Sequence, residues 1–211
     1  MDKKLNVIYA GRMSYENALE LQLKTQKERM EGKIDDTLIL LEHNPVITTG
    51  RRDQSHNIFV DPEKVGAEFV KTTRGGEVTY HGPGQIVGYI FINIRDYRKG
   101  IKSFVNDLEE VFISLLREEF GIEAGRDDKH RGAWVGNSKI TAIGLAVNRD
   151  ITMHGFAFNV KPDLSHFQWI VPCGIQDKGV TSLEKLIGRE PDLEEVQQLV
   201  IKHFKKIFDY Q

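Results

Sequence analysis

Three runs rich in β-branched and apolar residues follow one another past the middle of the chain, Ala133–Val135, Lys139–Val147 and Ile151–Val160. Only Gly136-Asn137-Ser138 and Asn148-Arg149-Asp150 lie between them. Turns that short join neighbouring strands, so the spacing predicts a meander. Strand-like runs also precede it: Leu5–Ala10, Thr37–Leu41, Val46–Thr49, Glu68–Thr72, Glu77–Tyr80 and Ile86–Ile94. Asn44-Pro45 breaks the second from the third, which predicts two strands around a turn. Helical patterns interrupt the series irregularly. One runs from a Ser14 cap through Met30 and stops at Gly32. A second carries Ile101, Phe104, Val105, Leu108, Val111, Phe112, Leu115 and Leu116 at spacings of three and four, with Gly121 placed to end it. Thr181-Ser-Leu-Glu184 matches a capping box opening a short helix, and Asp192 opens the last one. Strands in adjacent runs with scattered helices predict an α/β protein of the α+β type, a mixed sheet with helices packed on it. A doubly wound parallel fold would alternate the two.

At 211 residues, with no linker, repeat or low-complexity tract, the chain reads as one domain over residues 1–211. Hydrophobic content of 40% and charged content of 28% suit a globular core and say little about function. A net charge of −2 argues against a dedicated nucleic-acid binder. Cys173 is the only cysteine, which rules out an internal disulfide and suits a reducing cytoplasm. No segment approaches the ~18 consecutive apolar residues of a membrane span, and the N-terminus has no signal-peptide pattern. A cytoplasmic protein without membrane contact is the expectation.

The segment Arg74-Gly-Gly-Glu-Val-Thr-Tyr-His-Gly-Pro-Gly-Gln-Ile-Val-Gly88 concentrates glycine, a cation and polar rings between two strand-like runs. Glycine allows close backbone approach and positive φ, so the composition favours ligand contact over a pair of tight turns. It is not a dinucleotide loop. Gly82-Pro-Gly84-Gln-Ile-Val-Gly88 has the spacing GxGxxxG and leads into a strand, whereas the fingerprint is GxGxxG opening a helix. The phosphate-loop spacing fails as well, for lack of a Gly-Lys-Ser/Thr ending.

Cys173 lies in Ile170-Val-Pro-Cys-Gly-Ile175, where proline and glycine break regular backbone. A lone cysteine is more often a small buried hydrophobe than a nucleophile, and nucleophilic use needs a base or cation beside it. Lys139 heads an apolar strand, where a lysine ordinarily snorkels to solvent. His81 and His154 each precede a glycine and read equally as pocket donors or as satisfied core histidines. With no third ligand at recognisable spacing, they do not predict a metal site.

Taken in order, Leu41-Glu-His-Asn-Pro-Val46, Arg74–Gln85, Gly136-Asn-Ser-Lys-Ile-Thr-Ala-Ile-Gly144, His154-Gly-Phe-Ala-Phe-Asn159, Asp163-Leu-Ser-His-Phe167, Val171-Pro-Cys-Gly-Ile175 and Gly179-Val-Thr-Ser-Leu183 closely resemble the lipoyl(octanoyl) transferases. The resemblance runs from the second strand to the capping box. It implies the catalytic fold of the biotin/lipoate protein ligases, with a mixed, largely antiparallel sheet. It further implies transfer of an octanoyl group from octanoyl-acyl carrier protein, through a cysteine thioester, to a lysine of a lipoyl domain. The acceptors it implies are the lipoyl domains of 2-oxoacid dehydrogenase complexes and the glycine cleavage H protein. By the same resemblance Cys173 is the acyl acceptor and Lys139 its partner. Arg74, Gly75, Gly76, Glu77, Val78, Thr79, Tyr80, His81, Ala142, Ile143, Gly144, Gly155, Phe156 and Ala157 are then expected to wall the acyl pocket.

In such a pair the ammonium favours the thiolate, and one lysine can hold the proton through both half-reactions. Thioester exchange keeps the acyl group activated, so neither a cofactor nor a metal is expected. Arg51, Arg52, Lys129 and Arg131 are candidates for a basic rim facing an acidic carrier protein, although solvated loop charge is the plainer account. Two other readings use the same residues: an ATP-dependent lipoate or biotin ligase in which Cys173 is dispensable, and a non-catalytic module binding acyl chains or lipoyl domains.

Overall fold

The computed structural model describes residues 3–51, 55–97, 100–170 and 178–211. β1 (Leu5–Met13) leads into α1 (Tyr15–Met30), whose Ser14 cap accepts from the Asn17 amide at 3.3 Å. The helix buries a mostly polar side. Gln26 Nε2 donates to the Ile151 carbonyl at 3.1 Å, and the Gln22 side-chain oxygen accepts from the His154 amide at 3.2 Å. These contacts explain why its apolar periodicity is weak: part of what it packs against is strand backbone.

β2 (Asp36–His43) and β3 (Val46–Thr49) follow, then β4 (Glu68–Lys71), β5 (Thr79–His81) and β6 (Gln85–Phe91). β2 and β3 are the two strands expected around Asn44-Pro45, but they do not pair with each other. β2 pairs in parallel with β1 and antiparallel with β6, while β3 joins a separate three-stranded sheet of order β4-β3-β5. Asn44-Pro45 is therefore a corner between sheets. The apolar run after β6 also ends differently: Asn93 Oδ1 accepts from the Arg95 amide at 3.0 Å, and α2 (Ile94–Tyr97) begins where strand was expected.

α3 (Gly100–Phe120) is the expected amphipathic helix, and β7 (Gly132–Val135), β8 (Ser138–Asn148) and β9 (Ile151–Asn159) form the expected meander. Arg149 and Asp150 both take positive φ, 45° and 67°, in the tight turn between the last two. A two-residue β10 (Gly179–Val180), absent from the sequence expectations, lies parallel to β8. α4 (Leu183–Ile187) is capped by Ser182, which accepts from the Lys185 amide at 3.3 Å, one residue later than the capping box placed it. Thr181 is instead drawn into the sheet through its amide bond to the Lys139 carbonyl at 3.0 Å. α5 (Leu193–Phe208) is capped by Asp192 as expected.

Among the described residues the large sheet runs β1-β2-β6-β9-β8-β10, with β7 on β8. Three of its strand pairs in that path are antiparallel and two parallel, which is the mixed, largely antiparallel sheet expected. α3 and α5 cover one face, where Phe104, Leu108 and Phe112 meet Ile86, Ile90, Phe156, Phe158, Val200 and Phe204. The Phe112 ring stands 4.7 Å from that of Phe156, so truncating it to alanine would cost about 3–5 kcal/mol. α1 covers the other face over Ile39, Leu41, Val87 and Ala157. β6 and β9 are buried throughout, and the site is built where they meet β8.

Candidate active site

A cavity of about 440 Å³ opens between the glycine-rich segment and strands β6, β8 and β9, within the range typical of small-molecule pockets. Arg74 to Glu77, Thr79 and His81 form one wall; Ala142 to Gly144 and Gly155 to Ala157 form the other. The glycine-rich wall is fastened directly to the strand, since the Gly75 amide donates to the Leu145 carbonyl at 3.0 Å. A Cβ on Gly144 would stand 2.8 Å from the Gly75 carbonyl oxygen, which is why glycine occupies that position.

Val78 and Tyr80, expected in the same wall, face away from it. Strand alternation turns Thr79 and His81 into the cavity and Tyr80 to the opposite side. There the Tyr80 hydroxyl meets His166 Nδ1 at 2.8 Å and its ring packs against Phe167 and Trp169, with Val78 in the same apolar cluster. The second half of the glycine-rich segment is structural. Gly84 turns at a φ of +86°, its amide donates to Glu42 Oε2 at 2.6 Å and its carbonyl accepts from the Lys161 amide at 2.9 Å.

Lys139 reaches the cavity because of a β-bulge. Ala133 pairs with Thr141 but Trp134 pairs with Lys139, so Ile140 has no opposite residue. Strict alternation from Ala142 would put Lys139 on the far face; the skipped residue returns it to the side of Ala142 and sends Ile140 into the core. Lys139 is buried to 9% exposure, with its Nζ 5.0 Å from the centre of the Trp134 ring. Lys178 Nζ lies 4.8 Å from the same ring and is paired with Asp127. Asp127 Oδ1 also accepts from the Lys129 and His130 amides, at 3.0 and 2.9 Å, which shapes the loop that carries Lys129 and Arg131 to the cavity edge. Arg51 is exposed and holds the Thr73 carbonyl at 2.8 Å. Cys173 and Arg52 lie outside the described residues.

The cavity floor carries one buried cation, Arg74, among neutral polar rings. Arg74 Nη2 donates to the Thr48 carbonyl at 2.9 Å and to its hydroxyl at 2.7 Å, so the guanidinium is held by the small sheet. Around it burial pushes His43 and His154 down to about 4, and His81 well below the ordinary histidine value. Burial likewise pushes Tyr15 up to about 12 and Tyr89 well above the usual phenol range. All five rings are therefore neutral near pH 7. His43 Nε2 and the Tyr89 hydroxyl are 2.6 Å apart. His154 takes a φ of 61° inside a strand, left-handed backbone that few residues other than glycine adopt, histidine being among the more tolerant, and its ring stands 6.3 Å from that of Tyr89. Tyr15, Val87, Tyr89, Ile101, Val105 and Leu145 also line the cavity and were not singled out from sequence, because each sits in an element that reads as ordinary core or helix face.

Among the described residues no group of His, Cys, Asp and Glu is placed to hold a metal ion, and no helix is long and apolar enough to cross a membrane.

The family model described as the lipoyl protein ligase A/B catalytic domain matches residues 14–205. An octanoyltransferase of Caldicellulosiruptor saccharolyticus is 54% identical over 209 residues, covering 97% of this chain and 89% of its own. One of Desulforamulus reducens is 47% identical over 211 residues, covering 99% of this chain and 92% of its own. Among solved structures, a putative lipoate protein ligase from T. acidophilum superimposes with a TM-score of 0.77 at 16% identity, covering 100% of this chain and 87% of its own, a likeness of fold.

Proposed function

The chain belongs to the family of lipoyl protein ligase A/B catalytic domains, and from that premise we propose that it loads octanoyl from acyl carrier protein onto Cys173 and passes it to a lipoyl-domain lysine. It is an acyltransferase of protein lipoylation, as its octanoyltransferase relatives are. The donor, the thioester and the residue roles are our reading, as is the use of residues 1–211 as one catalytic domain in the cytoplasm. The acceptors we assign are the lipoyl domains of 2-oxoacid dehydrogenase complexes and the glycine cleavage H protein.

The observation that carries this reading is the delivery of Lys139, by the bulge, into a glycine-walled apolar cavity. In the first half-reaction the Cys173 thiolate attacks the donor thioester carbonyl and a new C–S bond forms. The old C–S bond breaks as the Lys139 ammonium gives its proton to the departing thiolate. In the second, a neutral substrate amine attacks the acyl-enzyme carbonyl, its surplus proton passes to Lys139, and the Cys173 thiolate leaves. The pair returns to its starting state, and the thioester supplies the activation. Each methylene of the chain buried between the two walls adds about 0.8 kcal/mol, which favours a chain long enough to fill them.

Intact-mass analysis after mixing the protein with octanoyl-acyl carrier protein tests it. An octanoyl adduct lost in Cys173→Ala is expected. Product formation that demands ATP would place the chain with the ligases, and binding without turnover would make it a non-catalytic module.

A further inference from the structure

The protonation pattern of His81 is dictated by groups that have no choice of role. The Thr181 carbonyl oxygen only accepts, so Asn159 Nδ2, 3.1 Å away, is the donor there and Oδ1 faces the other way. Gln85 Nε2 then donates to Asn159 Oδ1 at 3.0 Å and to the Tyr80 carbonyl at 3.2 Å. That leaves Gln85 Oε1, an acceptor, 3.1 Å from His81 Nδ1, and Nδ1 must carry the hydrogen. With Gln85 at 1%, Asn159 at 5% and His81 at 9% exposure, water offers little competition for any of these bonds. The imidazole is neutral, through burial first and then its histidine and arginine neighbours, of which Arg74 carries a charge near pH 7. Its Nε2 is consequently a lone-pair acceptor on a ring that lines the cavity. The relay starts beside the lysine, because the Thr181 amide donates to the Lys139 carbonyl at 3.0 Å.

We propose that Gln85 and Asn159 are positioning residues that lock His81 in the tautomer protonated on Nδ1, so that Nε2 presents a fixed acceptor to an N–H of the incoming lysine amine. The proposal rests on the acyl-transfer reading above. Of the reacting groups, the octanoyl chain and the thioester carbonyl have no hydrogen to donate, whereas a neutral primary amine has two beside its lone pair. Holding one of those hydrogens aims the lone pair at the carbonyl, a gain in alignment and not in basicity. The proton lost on attack still passes to Lys139. The other tautomer, or an imidazolium, would present a donor and turn the amine away. Among the described residues the groups that act on the ring's charge are His43 on β2, Arg74 and His154 on β9; Arg74 opposes a positive charge on it at any pH, and the two histidines do so only once they are themselves protonated.

Nitrogen NMR of the full chain with 15N-labelled histidine reads the tautomer without any substrate. The expected result for His81 is a protonated Nδ1 and a bare Nε2 at pH 7, unchanged down to pH 5.5. Asn159→Ala removes one of the two acceptors that orient Gln85 and leaves the Tyr80 carbonyl as the other, so a minor share of the second tautomer should appear. Gln85→Glu places a carboxylate beside Nδ1 and should move His81 protonation towards neutral pH. Kinetically, Asn159→Ala should slow transfer from preformed octanoyl-enzyme to the acceptor in proportion to that share, and its pH profile should differ from that of the parent. A wild-type His81 protonated on Nε2 overturns the proposal. So does a tautomer unmoved in both variants, or transfer that keeps its wild-type rate while the tautomer is mixed. Failure to form any octanoyl-enzyme would instead defeat the acyl-transfer reading, and the NMR result would stand apart from it.

Discussion

Trp134 lies under two ammonium groups, Lys139 Nζ at 5.0 Å and Lys178 Nζ at 4.8 Å, while its own Nε1 donates to the His130 carbonyl at 3.0 Å. A buried indole in a strand reads as core, so nothing in the sequence marked it as part of the site. Cation–π attraction of about 0.5–2 kcal/mol corresponds to roughly 2- to 30-fold in rate if it holds Lys139 in its reactive place. Trp134→Leu, which keeps bulk and removes the π face, should therefore slow octanoyl loading by that factor, and Trp134→Phe by less. Rapid-quench loading assays with mass detection measure both, and equal rates in Leu and Phe variants would remove the ring from the mechanism. Lys139→Ala should slow loading and release together, because one proton carrier serves both; loading at the wild-type rate would refute the shared role. The Lys139 position was legible only through the family resemblance. Read from the strand alone, alternation gives the wrong face, and a one-residue bulge has no local signature in Ser138-Lys-Ile-Thr-Ala142.

At the scale of elements, periodicity located α3, α5 and the β7–β9 meander because those segments carry their own burial pattern. It does not give the pairing where a partner distant in sequence decides. The β2 and β3 runs looked like neighbours, yet each is completed by a different sheet, β2 by β1 and β6, β3 by β4 and β5. The glycine-rich segment shows the same division within fifteen residues. Its first half approaches β8 closely through Gly75, and its second half makes a turn tied to Glu42 and to residues 160–161. Only the contact with β8 makes the first half a wall. Gly144→Ala puts a methyl 2.8 Å from the Gly75 oxygen, in backbone that cannot rotate aside. The substitution should cost about 1–3 kcal/mol of stability and raise KM for the octanoyl donor severalfold, the wall having been pushed off the strand. Urea melts and steady-state kinetics on the one variant measure the two effects; an unchanged KM would mean that the wall does not set acyl binding.

For the whole molecule, burying His43 and His154 as neutral rings makes acid stability a property of the site itself. The unfolded chain binds protons at these histidines near 6.5, the folded chain only near 4. Between those values the unfolded state holds more protons, so stability is fully present above about pH 6.5 and falls as pH drops towards 4. A difference of that size is worth on the order of 3 kcal/mol for each ring, a large share of a typical net stability of about 5–15 kcal/mol. His81 adds in the same direction. Carboxylates held low by their partners, such as Asp127 at about 2, lose their contribution at more acid pH, which leaves the interval from 4 to 6.5 mainly to the histidines. Urea denaturation at half-unit pH steps should show stability falling steadily across that interval. In His43→Gln combined with His154→Asn, the asparagine suiting a φ of 61°, the slope should shrink by most of its value while stability near pH 7.5 changes less. A slope that survives the double substitution would assign the acid sensitivity to groups elsewhere and leave the neutral histidines around the cavity without this consequence.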